Sequence, residues 1–209
     1  MYVYSFYITY ILLLTTGTIT LVEALRTKNQ TIRNILNLET CISIVAAYFY
    51  SIFISYVKNG KTENINTLRY VDWSVTTPMM LISLLLTLLY HSGGMIHLNH
   101  LLIVFGLNYG MLLSGYLGET GKINHILANV VGFIFFSGLY TYIYKIFMKK
   151  YSFANIVLFI SYVMIWGLYG IVYFLPQDEK MLGYNILDLM AKCLIGLFLW
   201  AYFAKVVRL

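Results

Sequence analysis

Apolar residues in this chain do not alternate with polar ones; they run on. Seven stretches, at about 3–23, 39–57, 67–89, 95–117, 123–144, 153–175 and 182–204, are nearly unbroken apolar sequence. A run of about 18 or more such residues is long enough to cross a bilayer as a helix, so each stretch predicts a membrane-spanning helix. A strand barrel would need polarity that alternates residue by residue, and that pattern is missing. The connections are short, so residues 1–209 read as a single all-α bundle with no separate soluble domain. Pro78 falls inside the third run and Pro176 at a helix end, and there is no third proline.

Composition narrows the class. The chain is 60% hydrophobic and 11% charged, more apolar than a water-soluble domain of 209 residues needs. The first run lacks a basic start and a small-residue cleavage site, so it reads as a retained helix. Cys41 and Cys193 both lie in apolar runs and read as packed thiols.

Charge sets the expected orientation. Arg26, Lys28, Arg33, Lys145, Lys149, Lys150, Lys205 and Arg208 fall at one end of the bundle, and Lys58, Lys61, Lys122 and Lys180 at the other. Basic residues collect on the cytoplasmic side, which predicts an N-terminus outside and a cytoplasmic C-terminus. The formal net charge of +6 is then a topology signal. A basic rim beside anionic lipid head groups accounts for it, and no nucleic-acid partner is implied.

Once loop charges are set aside, Arg69, Asp72, Asp188 and Lys192 remain within the apolar runs. Ionisable groups at that depth cost several kcal/mol and are usually functional. Two cations and two anions balance, as a buried cluster requires. A structural ion-pair network locking two helices is the alternative. Asp188 and Lys192 are four apart and share a helix face, as do Arg69 and Asp72, three apart. An amine beside a fixed anion, shielded from water, is the layout for a protonated Schiff base and its counterion.

The stretch Arg69-Tyr70-Val71-Asp72-Trp73-Ser74-Val75-Thr76-Thr77-Pro78 resembles the third helix of the microbial (type 1) rhodopsins, and Asp188 with Lys192 resembles their seventh. The resemblance covers the whole chain by topology and implies all-trans retinal bound covalently at Lys192. It implies Asp72 as primary counterion and proton acceptor, Asp188 as second counterion, and Arg69 as the cation gating the outer side. Thr76 would hydrogen-bond Asp72. Ser83 stands where many outward pumps carry a carboxylic donor, which gives an Asp-Thr-Ser signature. Trp73, Thr77, Met80, Met111, Gly115, Phe159 and Trp166 would contact the chromophore, with Asn108 on the same face of the fourth helix. Tyr162 and Tyr50 would bond the second counterion.

Some positions depart from the family pattern. Phe159 replaces a pocket tryptophan and Val163 a kinking proline, and Glu179 is the nearest candidate for a release group. The short loops and the Asp-Thr-Ser signature resemble rhodopsins of giant viruses, which include pumps and channels. Only Glu39 is acidic in the second run, and Cys193 follows Lys192, both of which lean to the pumps. Glu23, Leu25, Arg33 and Trp200 fit members that form pentamers, so a homo-oligomer is expected. The reading is a light-driven outward proton pump, a photoreceptor rather than an enzyme, in a multi-pass location that for a viral protein is a host membrane. A light-gated cation channel is the first alternative and a photosensor the second. Glu39, at the expected start of the second helix, reads either as a proton-entry acid or as a plain helix-end charge.

Overall fold

A computed structural model describes residues 2–149 and 151–206. Lys150 and Arg208, counted above among the basic residues of one end, lie outside the described residues. The described residues form seven spanning helices and no strand: α1 (Tyr2–Arg26), α2 (Gln30–Lys58), α3 (Ile65–Leu89), α4 (Leu98–Glu119), α5 (His125–Phe147), α6 (Phe153–Val172) and α7 (Gln177–Phe203). An odd number of crossings puts the two ends of the chain on opposite faces, here called the amino face and the carboxyl face.

Polar residues in the short connections start the helices where the apolar runs alone do not. The Asn29 side chain accepts from the Thr31 and Ile32 amides at the start of α2. Asn124 does the same for α5 and Ser152 for α6, each satisfying an amide that lacks an intrahelical partner. Pro176 precedes α7, whose first turn carries Asp178 and Glu179 at the positive end of the helix dipole.

The largest difference from the sequence expectation is α2. It begins at Gln30, nine residues before the expected start at 39. Its first turns, Gln-Thr-Ile-Arg-Asn, are too polar to register as apolar sequence but are capped by Asn29, and the Arg33 guanidinium bonds the Thr27 carbonyl at 2.8 Å. Glu39 is therefore more than two turns inside the helix.

α3 is the axis of the bundle. Its apolar window is 67% buried against 22% for α4. Met80, Leu81, Leu84 and Leu88 of α3 pack with Leu139 and Ile143 of α5, Leu158 of α6 and Leu199 of α7 in the half nearer the carboxyl face. Ile8, Leu102, Ile134 and Ile160 point outward, where lipid is the expected neighbour. Because lipid is as apolar as these side chains, close approach and polar contacts between helices decide the packing. Pro78 supplies one such contact. Lacking an N–H, it leaves the Ser74 carbonyl free, and the Tyr109 hydroxyl of α4 donates to it at 3.1 Å. Gly118 supplies another: a Cβ there would overlap the Tyr173 hydroxyl and the Ala128 methyl.

α7 is not a uniform helix. Residues Leu189–Leu194 form a π-helical turn between α-helical segments. A π turn inserts a residue and rotates the helix beyond it, and such turns cluster at functional sites. Lys192 lies inside it.

Candidate functional site

The four charges predicted to lie in the span come together at the centre of the bundle. Lys192 Nζ donates to Asp72 Oδ2 at 2.7 Å and lies 3.6 Å from Asp188 Oδ1. Arg69 Nη1 is 3.2 Å from Asp188 Oδ2. All four side chains are at most 1% exposed. In so dry a place each charge needs its partner, and the two-and-two balance supplies it.

The two carboxylates are held very differently. Asp188 accepts from Tyr50 at 2.9 Å, Tyr169 at 2.7 Å and Trp73 Nε1 at 3.2 Å, as well as from Arg69. Asp72 has Lys192 on one oxygen, while its Oδ1 has no partner. Thr76 does not bond the Asp72 carboxylate; its hydroxyl donates to the Asp72 backbone carbonyl at 2.9 Å. That is the ordinary arrangement for a threonine one turn on within a helix. Asp188 is thus a fixed anion, and Asp72 has a lone pair open to receive a proton.

Arg69 is clamped on the amino-face side of the pair. Its guanidinium bonds the Asn185 side-chain carbonyl and the Tyr50 hydroxyl, and it sits among the rings of Phe6, Tyr50, Phe53 and Tyr184, 5.0–5.6 Å from their centroids. Asn185 is anchored in turn by a 2.7 Å bond to Ser5 Oγ.

A cavity of about 790 Å³, including its open mouth, leads away from Lys192. Its walls are Trp73, Thr77 and Met80 of α3, Met111 and Gly115 of α4, Gly132, Phe133 and Phe136 of α5, Trp166, Tyr169 and Gly170 of α6, and Tyr184 of α7. The walls are flat and apolar, and an amine stands at one end. Thr77 is held in place by Asn108, which donates to its hydroxyl at 2.9 Å.

Two expected contacts are corrected, those of Phe159 and Tyr162; neither residue lines this cavity, and nor does Tyr50. α6 enters from the carboxyl face, so residues before Trp166 lie on that side of Lys192, while the cavity extends toward the amino face. Phe159 packs on Tyr140 and Tyr144, and the Tyr162 hydroxyl donates to the Met80 carbonyl at 3.1 Å. The α6 tyrosine that reaches Asp188 is Tyr169, three residues after Trp166. The stripe on the cavity therefore runs Trp166, Tyr169, Gly170, Tyr173, and the departures at Phe159 and Val163 do not concern the pocket. Tyr50 does bond Asp188, from outside the cavity.

On the carboxyl-face side of Lys192, Ser83 donates to Glu39 Oε1 at 2.5 Å, and both are fully buried. Among the described residues no cation lies within ion-pair distance of Glu39. A buried carboxyl without a cation is cheaper protonated than charged. This rules out the surface helix-end charge. Gly196 makes the room: a Cβ there would lie 3.2 Å from Glu39 Oε2 and 3.0 Å from Thr16 Cγ2.

The chain matches the family described as "Bacteriorhodopsin-like protein" over residues 2–206. It belongs to the bacteriorhodopsin-like family. Among solved structures it is similar to the viral rhodopsin OLPVRII, at 45% identity and a TM-score of 0.95, with 99% of each chain covered. It shares its fold with the blue light-absorbing proteorhodopsin from Med12, at 22% identity and a TM-score of 0.81 over 98% of each chain. It does so also with the proton pumping rhodopsin AR2 of the marine alga Acetabularia acetabulum, at 18% identity and a TM-score of 0.77 over 98% of this chain and 95% of that one. No curated protein matches. Rhodopsins of this family normally carry retinal on a lysine, and the residues here fit it. Lys192 is the amine at the closed end, Asp72 and Asp188 are anions for a cationic nitrogen, and Trp73 and Trp166 are flat walls for a polyene.

Proposed function

We propose that this rhodopsin is a light-driven outward proton pump with all-trans retinal on Lys192. Retinal held there by Lys192 would supply light absorption and a photoisomerisation to drive the transfer of a proton. Everything else is done by the chain. Trp73, Trp166, Met80 and Met111 hold the ligand in line and keep water out. Asp188, saturated with donors, stays an anion and steadies the positive nitrogen. Asp72, 2.7 Å from Lys192 Nζ with one oxygen unpartnered, takes the proton. Arg69 lies between this pair and the amino face, and its charge steers the proton onward.

Reprotonation comes from the other side. Glu39 stores a proton at Ser83, whose hydroxyl can relay but cannot hold one near neutral pH. The observation that carries the reading is this asymmetry about Lys192: a carboxylate with one unpartnered oxygen toward the amino face and a cation-free carboxyl toward the carboxyl face. Direction follows from charge. Arg26, Lys28, Arg33, Lys145, Lys149 and Lys205 sit at the carboxyl face, which makes that face cytoplasmic under the positive-inside rule.

The test is light-induced acidification outside cells that express the protein and are supplied with all-trans retinal. The signal is expected to vanish with a protonophore and in Lys192→Ala, which stays colourless. A coloured, acidifying Lys192→Ala variant would overturn the assignment of the lysine. Alkalinisation by the unmutated protein would overturn the direction.

A further inference from the structure

A second charged cluster lies outside the central four, at the amino face. Glu119, the last residue of α4, accepts from Asn66 Nδ2 of α3 at 3.0 Å and from Lys180 Nζ of α7 at 3.3 Å. Asn66 also donates to Gln177 Oε1 at 2.7 Å, and Lys180 lies 5.4 Å from the centroid of the Tyr173 ring. The Glu119 and Lys180 side chains are only 11% and 9% exposed. Glu63, Asp178 and Glu179, the other acids of this face, are exposed. Glu119 is thus the one amino-face carboxylate drawn into the bundle.

Two observations connect it to the centre. Asn66 precedes Arg69 by three residues, one turn of α3, and is 2% exposed. Both amide hydrogens of Asn66 are engaged, while its Oδ1 is buried without a donor. A buried carbonyl without a donor costs free energy unless something else supplies one at times. The buried Tyr184, whose ring centroid lies 5.6 Å from the Arg69 guanidinium, packs in one aromatic cluster with Tyr70, Trp73 and Tyr116, and Tyr116 lies three residues before Glu119 on α4.

We propose that Glu119 is the exit-side proton acceptor, which receives the proton leaving past Arg69 and hands it to bulk water. The assignment rests on the outward-pump reading above. The proton released when the Asp72 O–H bond breaks forms an O–H bond on a Glu119 oxygen, and Lys180 keeps all three of its protons. The new acid can donate to the free Asn66 Oδ1, so the cluster satisfies both forms of the carboxyl. Breaking the Glu119 O–H bond to water restores the ion pair. Lys180 and Asn66 are positioning residues: they hold the carboxylate turned inward at rest. Glu179, the acid expected from sequence, is exposed and outside this cluster.

Time-resolved infrared difference spectroscopy on the retinal-loaded protein in detergent, with a pH dye in the medium, tests this. A carboxylic C=O band is expected to appear as the proton leaves Asp72 and to decay as the dye responds. Labelling glutamate with carbon-13 is expected to shift that band in the unmutated protein. Glu119→Gln is expected to remove it and to delay the dye response several-fold, Glu119→Asp to restore both, and Glu63→Gln to change neither. A band that ignores glutamate labelling, that survives Glu119→Gln, or that is lost in Glu179→Gln instead would overturn the proposal. The readout needs no gradient, so the two failures are told apart: absence of transport in vesicles with the band intact would strike the pump reading, and absence of the band with transport intact would strike this assignment alone.

Discussion

Asp72 and Asp188 are the same residue type at one depth, and their neighbours give them different jobs. Four neutral or cationic donors besides Lys192 fix Asp188, while Asp72 has only the lysine. Replacing Asp72 by Asn keeps the shape and removes the acceptor. Absorption is expected to shift to the red and light-driven acidification to stop, as checked by visible spectra and pH recording. Normal acidification by Asp72→Asn would mean that another group takes the proton. Asp188→Asn is expected to do broader damage, because Arg69 would be left buried without its ion-pair partner. Breaking one member of a buried pair typically costs about 3–5 kcal/mol, and thermal bleaching of the pigment would register the loss. On the supply side, Glu39→Gln is expected to slow recovery of the Lys192 proton and to make that step depend on pH. Flash photolysis across a pH series would show it, and an unchanged decay would remove Glu39 from the path.

Helices carry these residues to their places, and the sequence shows unevenly how. The seven spans were legible because apolar runs are long and loops short, and Lys192 with Asp188 was legible because charge is so costly at that depth. The start of α2 was not. A polar, capped helix end has no apolar signature, so Glu39 read as lying at the expected start of the second helix although it is buried beside Ser83. The register of α6 was misread for a different reason: aromatic residues recur on several of its faces, and only packing shows that Tyr169 rather than Tyr162 reaches Asp188. Glu119 could have been found by asking which amino-face acid ends a helix rather than sitting in a loop. The close approach of α7 to α2 at Gly196 makes an element-level prediction. Gly196→Val would press on Glu39 and Thr16, costing about 1–3 kcal/mol as overpacking does. It is expected to slow the same kinetic step as Glu39→Gln while leaving the colour unchanged. A Gly196→Val variant with wild-type decay would show that the Glu39–Ser83 contact does not depend on this gap.

At the scale of the whole molecule, the buried charges are arranged unequally about Lys192. The amino face holds the Glu119–Lys180 pair above Arg69, and the carboxyl face holds a basic rim below a buried acid. Under the proposed function, Asp72 accepts on one side of Lys192 and Glu39 stores on the other, which a one-way device needs and a passive conduit does not. The measurement that tests this most directly is the photocurrent of the retinal-loaded protein in a voltage-clamped membrane, with identical solutions on both sides and no applied voltage. The account predicts outward current under steady light that persists at zero driving force and disappears in Asp72→Asn. Current that is zero there and reverses with an imposed ion gradient would contradict it and make the protein a light-gated channel.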